Sequence, residues 1–123
     1  MHQQIKITMK AILINPEDRS VTYVELDKGL DPIYKILDCD CFACPIVYGN
    51  NDAMYCDDEG LFKPQKGGII MPDWEYPILG KIIIVGTDED GNSIDVKSEL
   101  NYFTDSITWL NEAQAEYYRE RYN

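Results

Sequence analysis

The segment Ile78–Val85, with the sequence ILGKIIIV, most constrains the fold of this 123-residue chain. Six of its eight residues are aliphatic, and the β-branched isoleucines and valine favour extended backbone. An apolar run without polar alternation is typical of a strand that is buried on both faces. We therefore predict a central strand of a sheet here.

Shorter segments with strand composition lie elsewhere along the chain. Lys6–Ile14 and Val21–Leu26 are predicted to form a hairpin around a proline-containing turn. Phe42–Tyr48 is a predicted strand whose Pro45 suits a sheet edge or a bulge better than a central position. Further short strands are predicted at Ala53–Cys56 and Ser93–Val96, with turns at Asn15–Asp18, Gly49–Asp52, Asp57–Gly60 and Asp88–Gly91.

Helical spacing of apolar residues occurs in two parts of the chain. Leu30–Leu37 is a predicted short helix with Pro32 in its first turn, where a missing N–H costs little. After Ser98 a helical stripe runs through Leu100, Phe103, Ile107 and Leu110. Asn111–Gln114 resembles a capping box that opens a last helix, and residues 63–77 have a loop-like composition.

Together these segments predict one domain of the α+β class. We expect a mostly antiparallel sheet of five or six strands with helices packed on one side. The domain is expected to span residues 9–123, with a C-terminal helical segment at 98–123 and an N-terminal extension at 1–8.

The net charge of −11 is unevenly distributed and limits the classes of partner. Residues 29–62 and residues 82–123 each carry a net charge of −6. Such blocks repel the phosphates of nucleic acids and attract basic surfaces, so we expect a protein partner and no direct nucleic-acid binding. No apolar run approaches the roughly 18 to 20 residues of a membrane span, and no secretory signal is evident. The sequence therefore predicts a cytoplasmic protein with no membrane contact.

The acidic residues best placed to meet a partner lie in two predicted turns. They are Asp57, Asp58, Glu59, Asp88, Glu89 and Asp90. The second turn does not fit a calcium loop, since the register that puts Gly91 at the sixth position places Gly86 and Lys97 where acids are required.

Four cysteines, Cys39, Cys41, Cys44 and Cys56, could together supply thiolates to zinc. Their C-x-C-x₂-C spacing differs from two C-x₂-C knuckles, and their flanks are hydrophobic. Free cysteines in such surroundings commonly behave as small buried apolar residues. A zinc-binding structural module therefore stays one alternative, and no cofactor is expected.

Catalysis by a nucleophile and a histidine base is disfavoured by the composition. His2 is the only histidine, and it lies in the expected extension. We predict no catalytic residues and a protein that is not an enzyme. A small-ligand site, such as one for a nucleotide signal, is a further alternative if cations, glycine amides and aromatic walls converge. Its residues would be Lys63, Lys66, Gly67, Gly68, Trp74 and Tyr76, together with Lys81.

Three segments give the chain a resemblance to a known family. They are the helix at Leu30–Leu37, the YCDDEGL sequence at 55–61 and the PILGKIIIVG sequence at 77–86. This order resembles a family of short uncharacterised proteins from bacteriophages and mobile elements, a domain of unknown function. The resemblance covers roughly residues 9–97. The resemblance implies a phage-linked gene, and with it the cytoplasm of a bacterial host cell as the location. It carries over no activity and no active-site residue.

The leading functional hypothesis is a non-enzymatic acidic binding protein that counteracts a host defence system. In its sharpest form it is a DNA mimic, whose carboxylates stand in for phosphates in a basic groove. The partner is expected to be a host or phage protein, and the sequence leaves homo-oligomer formation open.

Overall fold

The chain folds as two antiparallel sheets and three α-helices, and the computed structural model describes residues 8–122. In chain order the strands are β1 (Thr8–Asn15), β2 (Ser20–Asp27), β3 (Phe42–Val47), β4 (Asp52–Asp57), β5 (Gly68–Ile70), β6 (Ile78–Leu79), β7 (Ile82–Thr87), β8 (Ser93–Ile94) and β9 (Thr108–Leu110). The helices are α1 (Asp31–Leu37), α2 (Leu100–Ser106) and α3 (Glu112–Tyr122), with a 3₁₀ turn at Gly60–Phe62. This arrangement confirms the predicted α+β class.

The larger sheet has six strands in the order β2-β1-β7-β4-β3, with β8 beside β7. Strand β7 lies between β1 and β4, and its residues Ile82–Val85 are fully buried. The prediction of a central strand is therefore confirmed. The strand is shorter than predicted, because Gly80 adopts a φ of +90° and ends the extended run. Ile78 and Leu79 belong to the second sheet instead.

Strand β3 is an edge of the larger sheet, as Pro45 indicated. Its register with β4 shifts between Ala43 and Ile46, which places the proline within a bulge. Because proline has no N–H, it fits where a ladder hydrogen bond is absent.

The second sheet has three short strands in the order β6-β5-β9, and the sequence patterns missed it. Strand β5 lies in the region predicted as a loop, and β9 interrupts the predicted helical stripe. Gly68 pairs with both Leu79 and Leu110, and Ile69 pairs with Trp109. Strands of two or three residues carry too little local pattern to be distinguished from loop.

Helices lie against both faces of the larger sheet, which corrects the expectation of one side. On one face Ile33 and Leu37 of α1 pack with Ile83. On the opposite face Phe103 of α2 packs with Ile12 and other buried residues, together with side chains of the second sheet. The physical reason is the apolar character of β7 on both faces, because each face must be covered.

Helix α3 covers the outer side of the second sheet, where Ala115 packs with Leu79 and Leu110. Its predicted capping box is confirmed. The Asn111 N–H donates to the Gln114 side chain and the Gln114 N–H donates to the Asn111 side chain, each at 2.8 Å. None of the helices within residues 8–122 combines the length and the apolar character that a membrane crossing needs.

A buried carboxyl group ties the segment before α2 to the larger sheet. Asp52 is fully buried at the start of β4. It accepts hydrogen bonds from the Lys97 N–H at 3.0 Å, from the Ser98 N–H at 2.7 Å and from the Ser98 hydroxyl at 2.5 Å. The Asn50 amide donates a longer bond of 3.3 Å to the same group. These contacts fix the approach of the chain to α2.

Candidate functional site

The two predicted acidic turns lie at opposite ends of the larger sheet. Cys56 pairs with Ile82 and Asp52 pairs with Gly86 in the β4–β7 ladder. Asp57–Glu59 therefore follows β4 at the end where β7 begins, whereas Asp88–Asp90 follows β7 at the other end. With about 3.3 Å per strand residue, the length of β7 separates them by roughly 20 Å. The structure thus brings together each triplet of acids, and it does not bring the two triplets together.

We call the end formed by Lys28–Asp31 and Asp88–Ile94 the acidic end. The Asp88 carboxylate accepts the N–H groups of Asn92 at 2.8 Å and Asp90 at 2.9 Å. Hydrogen bonds from Asn92, followed by those from the rest of the turn, lower the pKa of Asp88 below its usual value. Asp88 therefore stays ionised while it holds the turn, and Glu89 and Asp90 point their exposed side chains outward from it.

A shallow depression of about 420 Å³ lies at the acidic end between these two segments. Leu30 lines it and exposes 59% of its surface, although it is the first apolar residue in the helical spacing of the predicted helix Leu30–Leu37. Within residues 8–122, Asp31, Glu89 and Asp90 form no ion pair. The ionisable side chains in its lining are Asp88 and Lys28, so the depression itself combines an exposed apolar side chain with one acid and one base, and the exposed Glu89 and Asp90 lie beside it in the turn. Leu30 is a site residue that sequence reasoning missed.

At the opposite end, Asp57 contributes to the fold rather than to an exposed acidic face. Its side chain is only 6% exposed and lies 2.6 Å from the Lys63 ammonium. Its other oxygen accepts the Glu59 N–H at 2.9 Å. The bond to Asp57 raises the pKa of Lys63, so this ammonium stays charged near neutral pH. Of the predicted triplet, only Asp58 and Glu59 are exposed.

A cleft of about 260 Å³, the lysine cleft, lies beside this ion pair. Its lining includes Lys63, Lys66 and Lys81, so the structure brings these predicted cations together. The same lining includes Glu17, Asp38 and Asp57, which balance the three positive charges. Lys66 lies 3.5 Å from Glu112, whereas Lys81 forms no ion pair in the described part of the chain. Lys81 is therefore the cation most available to a ligand.

The Gly67-Gly68 pair has a structural role. A side chain at Gly67 would place its Cβ 2.6 Å from the Leu110 carbonyl oxygen, and one at Gly68 would lie 2.6 Å from that of Ile78. Gly68 also pairs with neighbours on both sides in the second sheet. Close approach of backbones therefore explains these glycines, and of the two only Gly67 lines the lysine cleft.

The predicted aromatic walls line a different cavity. Trp74 and Tyr76 border a mainly apolar groove of about 210 Å³, together with Phe62, which is 64% exposed. The ring centroids of Trp74 and Tyr76 lie 6.1 Å apart in an edge-to-face arrangement. Asp57 is the one residue shared by the linings of this groove and the lysine cleft. The residues predicted for one ligand site are thus divided between two neighbouring cavities.

The four cysteines are free thiols in different environments. Burial, with a contribution from nearby acids, raises the pKa of Cys56 to about 12, and burial also raises the pKa of Cys39 and Cys44. Cys41 is exposed, and the Cys44 thiol faces the Ile46 carbonyl oxygen at 3.6 Å. Among residues 8–122, no three or more histidines, cysteines or acids are grouped so that they could hold a metal ion.

Comparison with known proteins gives one family and no individual relative. No curated protein and no solved structure gives a significant match to the chain. The model of the family described as "Domain of unknown function (DUF3846)" matches residues 9–123. The match includes β9 and α3, which the sequence resemblance had left outside. It spans nearly the whole chain, and the protein therefore belongs to this family of unknown function.

Proposed function

We propose that this chain is a non-enzymatic binding protein whose acidic end recognises a protein partner with a basic surface. The observation that carries the proposal is the exposed Leu30 in a depression lined by Asp88 and Lys28, next to the exposed side chains of Glu89 and Asp90. An apolar centre within a charged rim is the arrangement found in protein–protein interfaces, where the centre excludes water and the rim selects the partner.

Electrostatics supports the same reading. The net charge of −11 steers positively charged surfaces towards the chain. At the acidic end Glu89 and Asp90 are exposed and form no ion pair within the described residues, so their field reaches solvent, with Lys28 as the cation at the same end. The field of exposed charges falls off within a Debye length, which is about 8 Å at physiological salt. Complex formation should therefore weaken as the salt concentration rises.

We propose a phage or mobile-element origin and a host protein, such as a component of a host defence system, as the partner. In the sharpest form of the proposal the carboxylates of the acidic end stand in for phosphates and occupy a basic groove. The two acidic turns are too far apart to act as one row of charges. Asp57 at the opposite end is also neutralised by Lys63, so we place the mimicry at the acidic end alone.

The test is a pull-down from host lysate at low and high salt, with two matched charge-removing variants. Glu89→Gln with Asp90→Asn removes two charges at the acidic end and keeps Asp88, which holds the turn. Asp58→Asn with Glu59→Gln removes two exposed charges at the opposite end. We expect a partner that is retained at low salt by the wild type and by the second variant, and lost with the first. Equal retention of that partner by both variants would refute a role for the acidic end.

A second candidate function is the binding of a small anionic ligand, such as a nucleotide, in the lysine cleft. The convergence of Lys63, Lys66 and Lys81 favours it. Thermal-shift measurements with cyclic and linear nucleotides test it, with Lys81→Gln as the variant and Lys97→Gln, an exposed lysine outside the cleft, as the control. The candidate requires a shift that Lys81→Gln abolishes and Lys97→Gln preserves. No shift with any nucleotide would remove it.

A further inference from the structure

The outer edge of β2 has no strand partner among the described residues, and helices α1 and α2 contact this strand. Strand β2 pairs residue by residue with β1, from Ser20 opposite Asn15 to Asp27 opposite Thr8, and its register is regular throughout. Within residues 8–122 no strand pairs with its other side. The strand contains no proline, whereas the opposite edge of the same sheet carries Pro45 and a bulge. Proline and bulges are devices that prevent edge-to-edge pairing, so only one edge of this sheet is protected by them.

We propose that β2 pairs antiparallel with β2 of a second copy of this chain, across a two-fold axis at Tyr23. Two residues directly opposite each other in an antiparallel ladder either both point their N–H and C=O groups towards the other strand or both point them away. These directions alternate along a strand, so opposite residues in a symmetric pair must be an even number of positions apart. A two-fold axis therefore allows only registers in which one residue lies opposite its own copy. The registers centred on Thr22, Tyr23 and Val24 are therefore the ones to compare.

Charge complementarity selects the register centred on Tyr23. It places Arg19 opposite Asp27 of the second copy and Asp18 opposite Lys28 of the second copy. The two-fold axis repeats both contacts, so four opposite-charge pairs flank the paired strands. The Asp18 side chain is held at the end of the turn by bonds from the Ser20 N–H and hydroxyl.

The neighbouring registers lack this complementarity. Centring on Thr22 places Arg19 opposite Glu25, but it also places Glu17 opposite Asp27, so an attraction is offset by a repulsion. Centring on Val24 places Lys28 opposite Ser20 and Asp27 opposite Val21, which gives no ion pair.

The distribution of charge over the chain is compatible with pairing at this edge and opposes it elsewhere. Residues 1–28 carry no net charge, whereas the blocks at 29–62 and 82–123 each carry −6. Two copies with −11 each repel at long range, and salt screens this repulsion as well as the attraction within the four exposed pairs. The two proposals are tested by different variants, at positions 19 and 27 for the dimer and at positions 89 and 90 for the basic partner, so either can fail without the other.

The experiment measures the mass of the full chain by sedimentation velocity, from low micromolar to submillimolar concentration. We expect the wild type to shift from one copy to two as concentration rises. Arg19→Asp places like charges opposite each other at both ends of the pairing and should abolish the shift. Asp27→Arg should also abolish it, although this variant is two charge units less acidic than the wild type and repels its copies less at long range. Aspartate tolerates the left-handed φ of +56° at position 19, and both positions are exposed, so folding is preserved.

Mixing the two variants gives the decisive result. Position 19 of each variant then lies opposite a charge of the other sign at position 27 of its partner, so the mixture should form a heterodimer although neither variant self-associates. Amide exchange should show concentration-dependent protection at alternate residues of Ser20–Asp27 in the wild type. Three results would overturn the proposal: a single copy at every concentration, a dimer unaffected by either variant, or failure of the mixture to associate.

Discussion

Removal of the Asp52 carboxyl group tests how the segment before α2 is held. Asp52→Ala leaves the Lys97 and Ser98 N–H groups without their acceptor, and it also removes the partner of the Ser98 hydroxyl. Asp52→Asn is nearly isosteric and keeps one oxygen. An oxygen kept at the Oδ2 position still faces the Ser98 N–H at 2.7 Å and the Lys97 N–H at 3.2 Å. The amide nitrogen at the Oδ1 position then faces the Lys97 N–H, and a donor cannot satisfy another donor.

The expected magnitude follows from these contacts. A buried donor that loses its acceptor costs about 1–3 kcal/mol, and Asp52→Ala creates two such backbone donors. We expect a loss of about 3–5 kcal/mol in the free energy of unfolding for Asp52→Ala, and about 1–3 kcal/mol for Asp52→Asn, which sets an amide N–H against the Lys97 N–H. The stability of a domain of this size is about 5–15 kcal/mol, so the loss in the alanine variant is a large fraction of it.

Urea denaturation followed by circular dichroism measures both changes. Asp105→Asn is the matched control, because it removes one negative charge from an exposed position on α2. Amide exchange at Lys97 should accelerate in both Asp52 variants and not in the control. A loss below about 1 kcal/mol for Asp52→Ala would refute the reasoning, since it would mean that water or another group satisfies both N–H donors.

Three further predictions concern packing, thiol chemistry and acid stability. Gly86→Ala should destabilise the chain by about 1–3 kcal/mol in urea, because its Cβ would lie 2.3 Å from a backbone carbonyl oxygen, whereas Gly49→Ala, with open space around it, should be neutral. Cys56 is buried and has a pKa of about 12, so it should resist alkylation at pH 8 until the chain unfolds, whereas the exposed Cys41 should react in the folded state. Rapid labelling of both thiols would contradict the burial of Cys56. The lowered pKa of Asp88 contributes stability that is present above the ordinary carboxyl pKa of about 3.9 and is lost as pH falls through the lower folded value, so Asp88→Asn should flatten the acid limb of a stability–pH profile.

The features that were predictable from the sequence depend on local rules. The unbroken apolar run Ile82–Val85 identified the central strand, because a strand that is buried on both faces needs apolar side chains at every position. Pro45 indicated the edge and its bulge, and Asn111–Gln114 indicated the start of α3, since each acts through its own backbone.

The features that were missed depend on contacts between distant segments. Strand β9 forms because Trp109 and Leu110 pair with β5, and the sequence around them contains no pattern that indicates this pairing. The exposure of Leu30 could not be read from its spacing, because helical periodicity does not show where the helix begins. The sequence could name Lys63 and Lys81 as candidate ligand-binding residues, but it could not show that they converge. Their proximity depends on how the two sheets are arranged in the fold.

The left-handed Gly80 has a consequence for how the domain opens. The chain passes through only Gly80 and Lys81 from the small sheet into the most deeply buried strand of the large one, and the Gly80 N–H also donates to the Gly67 carbonyl oxygen at 2.9 Å. The small sheet therefore cannot detach without pulling on the central strand. Mechanical or chemical stress at either sheet should be shared by both, so the two layers should melt as one cooperative unit and not in succession.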